Sequence, residues 1–334
     1  MEQFLLRAWY RKHRWLVLLR PLSAIYARLA QRRRERYLTG EASQWAPPVP
    51  LLVVGNVTLG GTGKTPMCLW LIEHFKRRGL RVGVISRGYG AGVSEFPHFV
   101  TETDSAYRCG DEPLLIARRS KSPVVIDPDR PRGCRALLDQ HPLDLIISDD
   151  GLQHYPMGRS LELVMIDHAR GLGNQRCLPE GPLREPAQRL ESVDLIVRNG
   201  ASHDAVDGFG MQLRPVALIN LVSGERCAIE DWSGSPDVAA VAGIGNPARF
   251  FDTLRALGFQ PTEYAFGDHA QYNAQSFARI NPAQAVIMTE KDAVKCAELA
   301  QHNWWFLSVE AVLSDAFVAA LDAKLPQLSS SGAQ

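Results

Sequence analysis

Residues 51–66 constrain the fold most. An apolar run, Leu51–Gly55, enters the loop Gly55-Asn56-Val57-Thr58-Leu59-Gly60-Gly61-Thr62-Gly63-Lys64-Thr65-Pro66, and a helical pattern over Pro66–Arg78 begins at once. Strand, glycine loop, Lys-Thr and helix form the P-loop arrangement. Glycines let backbone N–H groups close around phosphate oxygens, and the helix N-terminus adds the positive end of its dipole. Thr58, Leu59, Gly60, Gly61, Thr62, Gly63, Lys64 and Thr65 are therefore expected to bind a nucleotide. Lys64 would neutralise the β- and γ-phosphates, and the Thr65 hydroxyl would ligate Mg²⁺. The strict motif asks for glycine at 58, where this chain has threonine. The plainer alternative is a glycine turn capping a helix.

Short β-branched runs continue at Arg81–Ser86, Val124–Asp127, Asp144–Ser148, Leu161–Ile166 and Asp194–Arg198. Amphipathic stretches such as Glu112–Arg119 and Pro131–Gln140 lie between them. Apolar strands alternating with helices imply parallel βαβ units covered on both faces. The expected class is α/β: a P-loop NTPase-like, mostly parallel, doubly wound sheet with a second, smaller α/β domain. Residues 199–216 read as a boundary or hinge. Beyond them come Val216–Val222, Val238–Ala242, Ala285–Thr289 and Trp304–Val309, with helices at Pro247–Leu257 and Ala274–Ile280. The expected organisation is an arm at 1–36, a P-loop domain at 37–215, the smaller domain at 216–325 and a frayed tail at 326–334.

Leu145-Ile146-Ile147-Ser148-Asp149-Asp150-Gly151 is an apolar run ending in two carboxylates. In a P-loop fold such an acid holds the metal at the strand's carboxyl end. Asp149 and Asp150 are both expected near it, with Thr65; a helix cap or solvated turn is the bland alternative. Asp111, in Gly110-Asp111-Glu112-Pro113, is by itself equally an N-cap.

Net charge becomes informative once divided. Residues 1–40 carry ten Arg or Lys and two acids (Glu2, Glu35), leaving 27 basic and 34 acidic residues for the rest. The first 36 residues mix Phe4, Leu5, Trp9, Trp15 and Leu18 with Arg7, Arg11, Arg14 and Arg20, and end in Arg32, Arg33, Arg34 and Arg36. Three readings stand for this segment: a helix packed on its own domain, a segment lying in the headgroup layer, or a nucleic-acid contact. The longest early apolar run, Trp15 to Leu19, is broken by Arg20 and Pro21. That is too short to span a bilayer or serve as a secretory signal, so a cytoplasmic location is expected. Six scattered cysteines without a C-x-x-C pair argue against a zinc site or a disulfide framework and suit a reducing compartment.

Taken together, the motifs resemble the tetraacyldisaccharide 4′-kinase family. The resemblance rests on Gly55-Asn56 through Pro66, Ser86-Arg87-Gly88-Tyr89-Gly90, Gly110-Asp111-Glu112-Pro113, Asp149-Asp150-Gly151-Leu152-Gln153-His154, Leu178-Pro179-Glu180-Gly181-Pro182-Leu183-Arg184-Glu185 and Thr289-Glu290-Lys291-Asp292, in that order. It covers roughly residues 10–325, and Thr58 is shared with the family. The resemblance implies transfer of the γ-phosphate of ATP, with Mg²⁺, to the 4′-hydroxyl of tetraacyldisaccharide 1-phosphate, a lipid A precursor, giving lipid IV-A. It implies a peripheral enzyme on the cytoplasmic face of the inner membrane, with inner-membrane lipids and no nucleic acid as partners; no oligomeric state is set. Asp111 is implied as the base, supported by His269 in Phe266-Gly267-Asp268-His269. Arg130, in Asp127-Pro128-Asp129-Arg130, becomes a candidate for binding substrate phosphate, because arginine forks suit phosphate oxygens. Arg87, Arg184 and His154 are further substrate-binding candidates.

Two rivals remain at the level of sequence. A P-loop switch for guanine nucleotides would carry Asn-Lys-x-Asp, but in Thr289-Glu290-Lys291-Asp292 the Lys and Asp are adjacent. A kinase for a soluble small molecule leaves the basic amphipathic arm unexplained.

Overall fold

The computed structural model describes residues 2–325, so the tail expected to be frayed lies outside the described residues. These form one thirteen-stranded sheet. In chain order the strands are β1 (Leu51–Gly55), β2 (Val82–Ser86), β3 (His98–Val100), β4 (Val124–Ile126), β5 (Leu145–Asp149), β6 (Leu161–Asp167), β7 (Leu195–Asn199), β8 (Phe209–Asn220), β9 (Arg226–Cys227), β10 (Asp237–Ala242), β11 (Gln260–Ala265), β12 (Ala285–Thr289) and β13 (Trp304–Leu313). The helices are α1 (Glu2–Tyr10), α2 (Arg20–Leu38), α3 (Lys64–Lys76), α4 (Ala106–Cys109), α5 (Asp111–Ser120), α6 (Arg130–Gln140), α7 (Pro247–Ala256), α8 (Glu290–Cys296) and α9 (Asp315–Lys324).

Strands β1, β2, β4, β5 and β6 are buried at every residue, as expected where helices cover both faces of a parallel sheet. On one face Met67, Leu71 and Phe75 of α3 and Ile116 of α5 pack against Leu52, Val54 and Leu163. On the other, Cys134 and Leu137 of α6 meet Leu51, Val53 and Ile146. The chain leaves β1 for β2 while β5 lies between them. Its Asp149 pairs in register with Val54, beside the phosphate loop.

Strand β8 begins at Phe209 rather than at the expected Val216. Its length is set by antiparallel pairing with β13, from Met211↔Leu313 to Asn220↔Trp305, while its first residues pair in parallel with β7. This long pair carries the sheet from the first half into β12, β10 and β11. Helix α9 returns to the first half, with Phe317 and Leu321 buried in the same core as α3. The expected helix over Ala274–Ile280 is a single 3-10 turn, Ala274–Phe277. All six cysteines are free thiols; five are buried and Cys227 is half-buried.

The arm folds back on the chain. Ala8, Trp9 and Leu16 are buried against Leu59 and Leu178, and the Trp9 indole donates to the Pro179 carbonyl at 3.0 Å. Arg20 pairs with Glu180 at 3.0 Å. Yet Leu18, Leu22, Ile25 and Leu29 remain exposed. Their helical spacing runs on to Arg32 and Arg36, also exposed, so the arm presents an apolar row ending in cations. Among the described residues no helix is long and apolar enough to cross a membrane.

Candidate active site

The loop between β1 and α3 is built from backbone hydrogen bonds and close approaches. Asn56 Nδ2 donates to the carbonyls of Thr58 (2.8 Å) and Gly60 (3.4 Å). Thr58 is bridged to Leu183, with Leu59 N–H donating to the Pro182 carbonyl at 2.9 Å and Arg184 N–H to the Val57 carbonyl at 2.7 Å. This pairing explains the missing glycine: position 58 is held as a strand-like residue with no left-handed φ. The left-handed turns fall at Gly60 (φ +96°) and Gly63 (φ +91°). A Cβ on Gly63 would lie 2.3 Å from Asn199 Nδ2, whose amide donates to the Thr62 carbonyl at 3.1 Å. Gly63→Ala therefore combines backbone strain with a clash, and is expected to cost about 1–3 kcal/mol; a thermal melt several degrees below wild type checks it.

The loop is also held from the second half. A Cβ on Gly245 would sit 2.2 Å from Gly61 N, so the turn after β10 lies backbone to backbone on the phosphate loop. Arg170 donates to the Gly61 carbonyl and, at 3.1 Å, to the Gly245 carbonyl, while its guanidinium lies 5.4 Å from the Tyr10 ring.

Lys64 and Thr65 are buried at the start of α3, and Lys64 Nζ lies 3.7 Å from Asp150 Oδ1. Asp150 adopts a left-handed φ of +47° and accepts from Arg184 at 3.0 and 3.1 Å. Burial would raise its pKa, but Lys64, Arg184 and Arg130 hold it well below the ordinary carboxylate range. Asp149 differs. Its carboxylate accepts only weak hydrogen bonds, from Ser86 Oγ (3.4 Å) and Cys68 Sγ (3.7 Å), among the described residues. Burial, then the Glu112 carboxylate, push it up to about 7 against the pull of Lys64. The two neighbours are thus one paired anion and one under-compensated, buried carboxyl. A divalent cation would supply that compensation, so Thr65, Asp149 and Asp150 suit Mg²⁺ by their chemistry. Among the described residues there is no cluster of three or more His, Cys, Asp or Glu suited to a metal; any octahedral shell here needs oxygen atoms from phosphate and water.

Arg130 sits elsewhere than expected for a substrate ligand. It is buried (2% exposed) and donates to Ser148 Oγ (3.1 Å) and the carbonyls of Asp149 (2.8 Å) and Asp150 (2.9 Å). It thereby fixes the acidic turn. Arg184 is committed to Asp150 and, at 3.4 Å, to Gln153 Oε1. His154 is half-buried, and burial together with Arg130 and Arg159 depresses its pKa to about 4, leaving a neutral ring. Arg87 is exposed at the end of β2.

Residues 111 and 269 meet across the two halves. Gly110, not Asp111, occupies the N-cap of α5. The Asp111 carboxylate instead faces His269 Nδ1, at 3.2 Å from Oδ1 and 3.1 Å from Oδ2. Burial opposes ionisation of Asp111, but the His269 hydrogen bond and the charges of Lys291, His269 and Lys295 bring it down to about 2. The bond to Asp111 raises the pKa of His269 against burial. The Tyr89 ring centroid lies 5.3 Å from that of His269. Lys291 completes the cluster, 3.0 Å from Glu112 and 3.1 Å from Asp268. The sequence assigns Lys291 no role: its Thr-Glu-Lys-Asp block contributes to the family resemblance and fails the spacing of a guanine motif. Its lysine in the first turn of α8, where a cation is unfavourable to the helix dipole, was the available signal.

The model of the tetraacyldisaccharide-1-P 4'-kinase family matches residues 15–326. A tetraacyldisaccharide 4'-kinase of Pseudomonas fluorescens (strain SBW25) is 56% identical over 328 residues, covering 98% of this chain and 97% of the relative. One from Pseudomonas paraeruginosa (strain PA7) is 57% identical over 324 residues, 97% of each chain. Among solved structures, the "apo" form of LpxK from Aquifex aeolicus in complex with ATP superimposes with a TM-score of 0.78 at 26% identity, covering 94% of this chain and 99% of that one. With a match of this length joined to the phosphate loop, the acidic turn and the Asp111–His269 couple, the chain belongs to the tetraacyldisaccharide-1-P 4'-kinase family.

Proposed function

We propose that this protein transfers the γ-phosphate of ATP to the 4′-hydroxyl of tetraacyldisaccharide 1-phosphate, giving lipid IV-A and ADP. The observation that carries the reading is the Asp111–His269 couple, 3.1 Å across, in a chain that also holds a P-loop. A phosphate cradle alone serves switches and kinases alike; a buried carboxylate kept ionised is a proton acceptor for an attacking alcohol.

In the proposed reaction the loop amides of residues 58–65 and Lys64 bind the triphosphate and stabilise charge on the transferring group. Thr65, Asp149 and Asp150 would hold Mg²⁺, which supplies further neutralisation of phosphate charge when bound. Asp111 accepts the proton of the 4′-hydroxyl as its oxygen bonds to the γ-phosphorus; the bond to the β–γ bridging oxygen breaks, and ADP carries away that electron pair. His269 orients the carboxylate. Arg130 and Arg184 support this arrangement by fixing the Asp149–Asp150 turn, while Arg87 and the neutral His154 remain the acceptor-binding candidates. The proposed working units are a P-loop domain (37–215), a smaller domain (216–325) and the arm (1–36), with closure between the first two limiting loss of phosphate to water.

Withdrawing acyl chains from a bilayer would cost about 0.8 kcal/mol per CH₂. The acceptor therefore stays in the membrane and the enzyme comes to it, as a peripheral protein on the cytoplasmic face of the inner membrane. The exposed row Leu18, Leu22, Ile25 and Leu29, with Arg32 and Arg36 behind it, suits the acyl–headgroup boundary. Leu22→Glu/Ile25→Glu is expected to cut the fraction floating with anionic vesicles about tenfold, with activity on a detergent-dispersed acceptor largely kept. Flotation equal to wild type would remove the arm from the contact.

The activity itself is tested with γ-labelled ATP and tetraacyldisaccharide 1-phosphate in vesicles. Label recovered in extracted glycolipid is expected. Label found only as free phosphate would favour a nucleotide switch, and label passed to a soluble sugar would favour the other rival.

A further inference from the structure

Lys291 stands in an environment that a lysine enters only for a reason. Its side chain is 14% exposed and its ammonium lies 3.0 Å from Glu112 Oε1 and 3.1 Å from Asp268 Oδ1. Asp111 Oδ2 is 3.8 Å away and His269 Nε2 3.5 Å away. It thus reaches from the start of α8, in the second half, to both acids that open α5 in the first half. Removing it would leave three carboxylates gathered without their central cation. The second lysine nearby cannot take its place. Lys295 Nζ is 2.8 Å from Asp292 and 3.9 Å from Asp111, and lies 4.9 Å from the Tyr272 ring, so its charge is directed to Asp292.

We propose that Lys291 is the positioning residue of the proton-accepting couple: its ammonium ties the Asp268–His269 turn to the start of α5 and keeps His269 in the tautomer whose Nδ1–H donates to the Asp111 carboxylate. The argument is geometric. An ammonium is a donor only. Facing it at 3.5 Å, Nε2 of His269 must present its lone pair, so the ring proton lies on Nδ1 and donates to Asp111. An imidazolium would instead set an N–H against an ammonium. Lys291 opposes protonation of both members of the couple, lowering Asp111 and His269 alike. The other groups facing the couple are Lys295, which also lowers Asp111, Asp268, which raises His269, Glu112 beside Asp111, Tyr272, whose phenol feels Asp111, and the Tyr89 ring.

This inference rests on the kinase reading above. Its test is kcat against pH for the full-length protein with tetraacyldisaccharide 1-phosphate vesicles, in wild type, Lys291→Met and Lys291→Arg. For Lys291→Met, kcat at pH 7 is expected to fall about 100-fold, with the KM for ATP within about threefold of wild type. The acid limb should move up by about one pH unit, because a unit charge has gone from beside the couple. Lys291→Arg should restore most of kcat and bring the limb back. Asp268→Asn, which keeps the shape of the turn, should move the limb the opposite way. An acid limb in its wild-type place in Lys291→Met, at whatever kcat, would overturn the proposal. Should Lys291→Met not fold, an unmoved limb in Asp268→Asn with a shifted one in Lys291→Arg would overturn it equally. A wild-type protein that transfers no phosphate to the lipid would instead refute the kinase reading itself.

Discussion

Lys64→Ala is expected to lower the rate of phosphoryl transfer by at least about 10³-fold, the range seen when a principal charge is removed from a phosphoryl-transfer site. The side chain is buried beside Asp150, 3.7 Å from its carboxylate, at the first residue of α3. Alanine removes the ammonium that would meet the β- and γ-phosphates. It also removes one of the charges holding Asp150 ionised, and a charge that restrains the rise of Asp149. Two adjacent carboxyls would then compete for one proton, and Asp149, the more deeply compromised, would take it. The loss should therefore appear in kcat and in ATP affinity together, and should deepen at lower pH. Measuring both constants for wild type and variant across pH 6–9 checks this. Near-normal turnover would remove the phosphate loop from the reaction.

Asp111→Asn is expected to behave differently, lowering kcat by about 10²–10⁴-fold with ATP affinity within a few-fold of wild type. Asparagine fits the space at the start of α5 and can still meet His269 Nδ1, but it cannot hold a proton taken from an alcohol. A variant whose loss lies wholly in ATP affinity would show that Asp111 belongs to the nucleotide site. The pH dependence of the wild type follows from the same couple. Transfer needs the proton-free state, an ionised Asp111 beside a neutral His269. Because the bond to Asp111 raises the His269 pKa, activity should rise with pH through a value above that of an ordinary histidine and fall away below it.

The parts legible in the sequence are those whose local signal and tertiary role agree. The β1–loop–α3 unit was readable because a buried parallel strand is apolar at every residue and a glycine loop tolerates few alternatives. The acidic end of β5 was readable for the same reason. Strand β11 was not: Gln260–Ala265 is mostly polar and exposed, and it exists because β10 offers it an edge. The start of β8 is similar. Phe209–Pro215 reads as the end of a glycine-rich boundary, and pairing with β7 and with β13, nearly a hundred residues later, makes it a strand. Helix α9 carries a clear N-cap, Ser314, which accepts from Phe317 N–H at 3.1 Å, but its short apolar face gives no hint of returning to the first core.

The site divides along the same line. Lys64 and Thr65 open α3 after β1, Asp149 closes β5 with Asp150 directly after it, and the pairing of β1 with β5 brings the two strand ends together. Asp111 and His269 are 158 positions apart and have no local signature linking them; their expected pairing came from the family resemblance. Arg130 looked like a phosphate ligand because of its chemistry, yet the carbonyls of Asp149 and Asp150 lie nearer and claim its fork. Lys291 escaped because its partners sit on another helix and another loop.

The account turns on where the new phosphate resides. Extracted product from wild-type protein, ATP and tetraacyldisaccharide 1-phosphate should show a second phosphomonoester by ³¹P NMR, correlated to the proton at C4′ of the distal sugar and absent when Asp111→Asn replaces the wild type. A folded wild-type protein that consumes ATP while the lipid keeps its single phosphate, or gains one at another hydroxyl, would contradict it.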